Sequence, residues 1–332
     1  MDAVRCVRVA VILTLVLITG CAATGPVLSA SGQGAIPTRV DLEQTPFFPQ
    51  VEYQCGPSAL ATVLSASGLP VTPADLVPEV YLPGRQGSLQ PELLASARRR
   101  DRLPYQLPPT SDAIIAQLAD RIPVLVLQKL GAGPWPGWHY AVVVGYDVES
   151  QVFLLRSGTE RRLEVPAARF LATWDRADRW AVVVLQPGQM PGTADLSRYI
   201  EASAALEAVG RIDAAGIAYQ AAAIQWPRDA LPRLALGNVA LTRGDLAVAE
   251  SEYRQAIELD RGNVAAHNNL AEVLLRRRCV SAARSEMEIA KELAGTGPLE
   301  AAVADTAARV LASGNSDEQG CPAPLAAAHS TP

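Results

Sequence analysis

Two residues of this chain have both the chemistry and the setting for covalent catalysis, Cys55 and His139. Cys55 stands in Gln54-Cys55-Gly56-Pro57-Ser58-Ala59-Leu60, behind an irregular lead-in that contains Phe47-Phe48-Pro49-Gln50. Ala59, Leu60, Val63 and Leu64 then recur at helical spacing, and Pro57 occupies a first-turn position where a proline is welcome. The thiol therefore falls at a helix start. There the macrodipole and unpaired backbone N–H groups favour a thiolate, and the same N–H groups can hold an oxyanion. A thiol nucleophile needs a base. Of the three histidines, His139 alone lies in the N-terminal half, at the head of the apolar run His139-Tyr140-Ala141-Val142-Val143-Val144-Gly145-Tyr146-Asp147. Taken singly, a cysteine at a helix start is ordinarily a small buried hydrophobe, and a histidine on a strand is ordinarily structural. Their combination, with an amide side chain at Gln50, is what points to acyl chemistry at a carbonyl.

The elements that must position these groups follow from the pattern. The run from His139 to Asp147 reads as a buried strand. Val152-Phe153-Leu154-Leu155-Arg156-Ser157-Gly158 follows a turn around residues 148–150, so the two form an antiparallel hairpin. Asp147 is the obvious carboxylate, but it sits at the turn end. Eight residues of strand at about 3.3 Å each hold it roughly 26 Å from His139. The residue that orients the imidazole is expected instead at the far end of the second strand, in Ser157 to Thr159. Further scaffold is expected as a Gly-bounded loop over 84–90 leading into a helix, with Gln86 to Gln90 near the cleft. A helix over 112–121, a strand over 123–128 and a closing strand over 180–185 complete it. Trp135 and Trp138 flank the loop that feeds His139 and are candidates for the cleft wall or for loop packing.

The motifs Gln50-(x4)-Cys55-Gly56-Pro57-Ser58-Ala59-Leu60 and His139-Tyr140-Ala141-Val142-Val143-Val144-Gly145-Tyr146-Asp147, in this order and at this distance, resemble cysteine peptidase family 39. Its papain-like members include the bacteriocin leader peptidases that cut after double-glycine leaders. The resemblance covers roughly residues 40–187 and is strongest to a bacterial lipoprotein branch with C-terminal tetratricopeptide repeats. It implies a papain-like fold, with Cys55 as nucleophile, His139 as general base and Gln50 completing the oxyanion hole, a role for which Gln54 is the rival. The family's third member is an aspartate in an Asn-Asp-Pro turn after the second strand. Here the matching stretch is Arg156-Ser157-Gly158, so Ser157 replaces the carboxylate. The resemblance therefore implies either a Cys–His dyad with weak orientation, or a degenerate fold that binds peptides without cutting them. Acyl transfer by the same dyad is a third possibility. No cofactor is implied.

The N-terminus reads as an address. Arg5 and Arg8 precede an apolar core from Val9 to Ile18, too short to span a bilayer, which needs roughly 20 residues, and suited to a secretory signal. Leu17-Ile18-Thr19-Gly20-Cys21 resembles the lipobox of bacterial lipoproteins, which implies acylation of Cys21 as the mature N-terminus and a membrane anchor. Ala22 in place of an aspartate leans toward the outer membrane, facing the periplasm. Residues 22–38, rich in Gly, Ser, Ala and Pro, read as a flexible tether.

From Leu196 the sequence becomes alanine-rich and repeats every 34 residues, in units 196–229, 230–263 and 264–297. Ala215, Ala249 and Ala283 recur at one position, Ala222, Ala256 and Ala290 at another, Tyr219, Tyr253 and Met287 at a third, and Leu206, Ala240 and Leu274 at a fourth. This is the tetratricopeptide period. A capping helix over 298–312 would cover the last repeat, and 313–332 reads as a disordered tail. The fold class is thus α+β: a papain-like domain of an N-terminal helix and an antiparallel sheet over 39–188, then an all-α helical-hairpin array over 196–312. Such an array offers a groove to a protein partner. His267 reads as a packing residue. With five cysteines at irregular spacing, no disulfide framework is expected; Cys279 reads as a semi-buried thiol, and nothing indicates a partner for Cys321. Metal-ligand spacings are lacking. The net charge of −5 with signs interspersed gives no basic face for nucleic acid; the run Arg98, Arg99, Arg100, Arg102 reads as a solvated helix end.

Overall fold

The computed structural model describes residues 27–28, 36–131, 137–314 and 321; the expected lipidation residue Cys21, Trp135 and most of the C-terminal tail lie outside them. Seven strands form one antiparallel sheet: β1 (Arg39–Asp41), β2 (Leu103–Gln106), β3 (Val124–Leu130), β4 (Gly137–Asp147), β5 (Val152–Ser157), β6 (Glu160–Pro166) and β7 (Ala181–Leu185). The order is β2-β7-β3-β4-β5-β6, with β1 pairing separately on β4. β4 is the spine. Its stretch Tyr140 to Tyr146 is continuously buried, as an apolar run covered on both faces should be. β3 pairs with its Gly137–Val143 half, and β1 takes over beside Gly145 to Asp147. A side chain at Gly145 would collide with the carbonyl oxygen of Val40 at 2.3 Å, so this glycine is what lets β1 approach.

Helix α1 (Cys55–Ala66) is buried all round from Gly56 to Leu64, the signature of an interior helix, and packs on β4. Around it stand α2 (Pro73–Val80), α3 (Gln90–Arg99), α4 (Ser111–Ala119) and α5 (Ala167–Asp175). The sequence places the last two of its scaffold strands and α4 within two residues of their observed bounds.

Six helices make three hairpins, one per 34-residue unit: α6 (Leu196–Glu207) with α7 (Ile212–Gln225), α8 (Leu231–Arg243) with α9 (Leu246–Leu259), and α10 (Val264–Arg276) with α11 (Val280–Ala294); α12 (Glu300–Ala312) closes the stack. The repeated alanines and Tyr219, Tyr253 and Met287 are all buried. Gly237 lets Tyr253 lie against the backbone, for a Cβ there would meet its ring at 2.4 Å. His267 is buried, its Nδ1 2.7 Å from Glu286 Oε2 and its Nε2 3.2 Å from the Arg261 carbonyl.

The array does not hang from the sheet domain. Tyr199, Leu206, Ala215 and Tyr219 belong to the same buried cluster as the sheet. Tyr105 of β2 seals the seam: its hydroxyl donates to the Thr193 carbonyl at 3.1 Å and accepts from the Asp195 N–H at 3.1 Å.

One expectation needs correcting. Cys279 and Cys321 form a disulfide across 42 residues, with Cα atoms 5.3 Å apart, so neither is a free thiol. Spacing cannot reveal such a pair, because a bridge between distant residues depends on where the chain returns. The bridge ties residue 321 to the corner between α10 and α11. Cys321→Ser, or reduction of the wild type, is expected to destabilise the last repeat by about 2 kcal/mol. Thermal melts with and without reductant check this, and the variant should no longer respond to reductant. Of the stretch 22–38, residues 27–28 and 36–38 are described, and they lie against the sheet domain. The side-chain amide of Gln151 accepts from the N–H groups of Val27 and Leu28 at 2.7 and 2.9 Å, and donates to the Leu28 carbonyl at 3.0 Å. Leu28 is buried in the core, and the Pro37 carbonyl accepts from the Tyr146 hydroxyl at 2.6 Å.

Candidate active site

Cys55 is the first residue of α1, and His139 lies near the start of β4. The antiparallel hairpin returns β5 so that Ser157, its last residue, reaches the ring: His139 Nε2 and Ser157 Oγ are 2.8 Å apart. Among the described residues Nδ1 has no hydrogen-bond partner, so the ring is held through Nε2 alone. Cys55, His139 and Gln50 line one cleft of about 1040 Å³. Cys55 is also the free cysteine among the described residues.

The lead-in is held in place from three sides. The Gln50 backbone N–H donates to the Gly158 carbonyl at 3.0 Å, and its side-chain amide donates to the Tyr140 carbonyl at 3.2 Å. One of the two amide protons is thereby used to fix the side chain, and the other remains for an oxyanion. Arg156, next to Ser157 and buried, donates to the carbonyls of Leu42 at 3.3 Å, Glu43 at 3.1 Å and Thr45 at 3.3 Å. It ties the strand end that carries Ser157 to the loop that leads to Gln50. Tyr53 takes a left-handed backbone, φ 62°, a costly conformation for a residue with a bulky side chain and one that clusters at functional sites.

Burial favours the uncharged form of both Cys55 and His139. Burial pushes the Cys55 thiol above its ordinary 9.0, although backbone hydrogen bonding from Tyr140, Gly56 and Cys55 itself opposes it. Burial pulls His139 below its ordinary 6.5. The two shifts act in the same sense, each favouring the uncharged side chain.

The loop over Arg85 to Gln90 lines the same cleft, as does Trp138, which is exposed with the Lys129 ammonium 5.2 Å from its ring centre. Asp147 sits at the hairpin turn, accepting from the Ser150 N–H at 2.9 Å, and takes no part. Ser88 lies in the loop expected near the cleft, but sequence reasoning gave no part to Tyr140, whose hydroxyl donates to the Ser88 carbonyl at 3.4 Å. A Cβ on Gly56 would meet Ser88 Oγ at 2.4 Å. The glycine after the nucleophile was the available signal, marking close approach of another chain segment.

Residues 42–182 match the family model described as Peptidase_C39 like family. This stretch, which holds Cys55, His139 and Ser157, is a C39-like peptidase domain. No curated protein matches the chain. Among solved structures, a C39-like peptidase from Bacillus anthracis is 16% identical, over 45% of this chain and 98% of its own, at a TM-score of 0.38. The peptidase domain of Streptococcus ComA, a bifunctional ABC transporter, is 17% identical over 43% and 99%, at 0.34. The Yersinia enterocolitica translocator chaperone SycD is 21% identical over 35% and 92%, at 0.34.

Proposed function

With residues 42–182 a C39-like peptidase domain, we propose that the chain is an exported, lipid-anchored cysteine peptidase whose repeat array docks a substrate or a partner protein. The observation that carries the reading is the convergence of Cys55, Gln50 and the His139–Ser157 pair on one cleft. As the Cys55 sulfur attacks a peptide carbonyl, its proton passes to His139 Nδ1. The oxyanion is held by N–H groups at the start of α1 and by the free proton of the Gln50 amide. Collapse expels the amine, which takes the proton from His139 and leaves a thioester on Cys55. His139 then takes a proton from water as it attacks, and the acid leaves with the thiol restored.

Export is supported by the lipobox-like Leu17-Ile18-Thr19-Gly20-Cys21 and by the Cys279–Cys321 bridge, since such bonds persist in oxidising compartments. The orientation of the domain on the membrane, and with it the side from which peptides arrive, is a separate matter. Docking rests on three stacked helical hairpins, an architecture that presents an extended surface.

The test is site mapping. A thiol-directed electrophile is expected to label Cys55 of the native protein, and Cys55→Ala is expected to abolish both labelling and peptide hydrolysis. Hydrolysis that survives Cys55→Ala sinks the reading. The serine at position 157 supports a second one, a fold that binds peptides without turnover; it predicts saturable peptide binding with no product.

A further inference from the structure

The sheet domain has two ends, and the N-terminal segment is fastened to the one that lacks the cleft. The cleft end gathers the starts of α1 and β4 and the end of β5. The opposite end holds the β4–β5 turn, the start of β1 beside Asp147 and the start of α5. On that turn Gln151, at φ 54°, spends its whole amide on backbone. Its oxygen accepts from Val27 and Leu28, and its nitrogen donates to Leu28 and to Val148 at 2.7 Å. Leu28 fills the core beneath.

This dock lies six residues from Cys21. Six residues of chain span at most about 21 Å, whereas the eight residues from Asp147 to His139 carry β4 roughly 26 Å from the turn to the cleft. Resting on the reading that Cys21 is acylated, we propose that the β4–β5 turn is the membrane-facing surface of the protein and that the Cys55 cleft opens away from the bilayer. The clamp at Gln151 fastens the chain to this turn at residues 27 and 28. The substrate class follows: peptide segments presented from the aqueous side, not bonds lying in the lipid interface. Glu149 and Ser150, exposed at the tip of the turn, are the residues nearest the headgroups.

The experiment uses the full acylated chain in phosphatidylethanolamine–phosphatidylglycerol vesicles that carry a headgroup acceptor dye. A donor is attached through an alkyne amino acid at position 149 or at position 85, the latter on the exposed cleft loop. Mass spectrometry of the N-terminal peptide first establishes acylation. Transfer from position 149 is expected to exceed that from position 85 several-fold. Gln151→Gly, which keeps the left-handed turn but removes the amide, is expected to erase most of that difference while Cys55 labelling stays unchanged. Equal or reversed transfer in acylated protein overturns the orientation, and a Gln151→Gly protein that keeps the full difference overturns the role of the clamp. An N-terminal peptide bearing no acyl group removes the premise itself, and the anchor reading falls separately from the geometry.

Discussion

Replacing His139 with alanine is expected to lower peptide hydrolysis by about 10²–10⁴-fold and to slow the alkylation of Cys55 at neutral pH. Burial holds the thiol above its ordinary 9.0, so without a base nearly all of it stays protonated. The other titratable groups lining the cleft are Glu52, Tyr53, Arg85 and Tyr140; burial drives the Tyr140 phenol far upward, so residual turnover of the variant is expected to fall to water or to the Glu52 carboxylate. The fold should survive, because β4 keeps its backbone pairing with β3 at this position, opposite Gln128. Steady-state hydrolysis and timed labelling of Cys55 check the prediction. An alanine variant that turns over at the wild-type rate would remove His139 from the mechanism.

How far the site was legible depended on which interactions are local. The helix start at Cys55 and the hairpin that carries His139 are written in spacing and turn residues, and a two-residue period lets one strand report on the other. That arithmetic directs the search for an orienting group past Asp147 to the far end of β5, and there Ser157 meets the ring. The register slip between Val143 and Gly145 lies outside what alternation can show. What could not be read is what the chain does at long range. Gln151 is an ordinary turn residue until residues 27–28, over a hundred positions away, lie on it. Arg156 looks like a solvated charge inside a strand, yet it is buried and neutralises its cost with carbonyls of the lead-in loop. The Cys279–Cys321 pair fails to announce itself for the same reason.

The repeat boundary gives a subtler case. The 34-residue period is legible because each unit repeats the same small and large residues, and the hairpins follow it. The period also invites the reading of a separate module after residue 188. Physically the first hairpin is part of the sheet domain, since Tyr105 stands 6.4 Å, ring to ring, from Tyr199 and shares its core. The later hairpins build their own buried clusters around Tyr253 and Met287, so the join to the sheet core is made by the first hairpin and the start of the second.

Ser157→Asp is expected to raise the alkylation rate of Cys55 at pH 7 by about tenfold to a thousandfold, since an opposite charge at hydrogen-bond distance shifts a pKa by about one to three units. The sign runs through the ring. In the wild type, burial alone moves His139, and it moves it below 6.5, because nothing opposite carries charge. A carboxylate at 157 favours the imidazolium and raises that value. An imidazolium beside Cys55 in turn favours the thiolate and lowers the thiol from its elevated position. The alkylation rate of the wild type should therefore still be climbing at pH 9, whereas that of the variant should level off at lower pH. Stability should move in a defined direction as well. The depressed His139 of the wild type means that the folded state loses stability as pH falls through 6.5, where the unfolded chain takes up the proton first. With the carboxylate present the histidine binds its proton in the folded state, and that loss shrinks. Ser157→Ala is the control: it removes the hydrogen bond without adding charge, and should lower the rate by a few-fold with no shift of the pH profile. If the aspartate leaves both rate and profile unchanged, a charge at position 157 does not act on His139, and the orienting role of Ser157 falls.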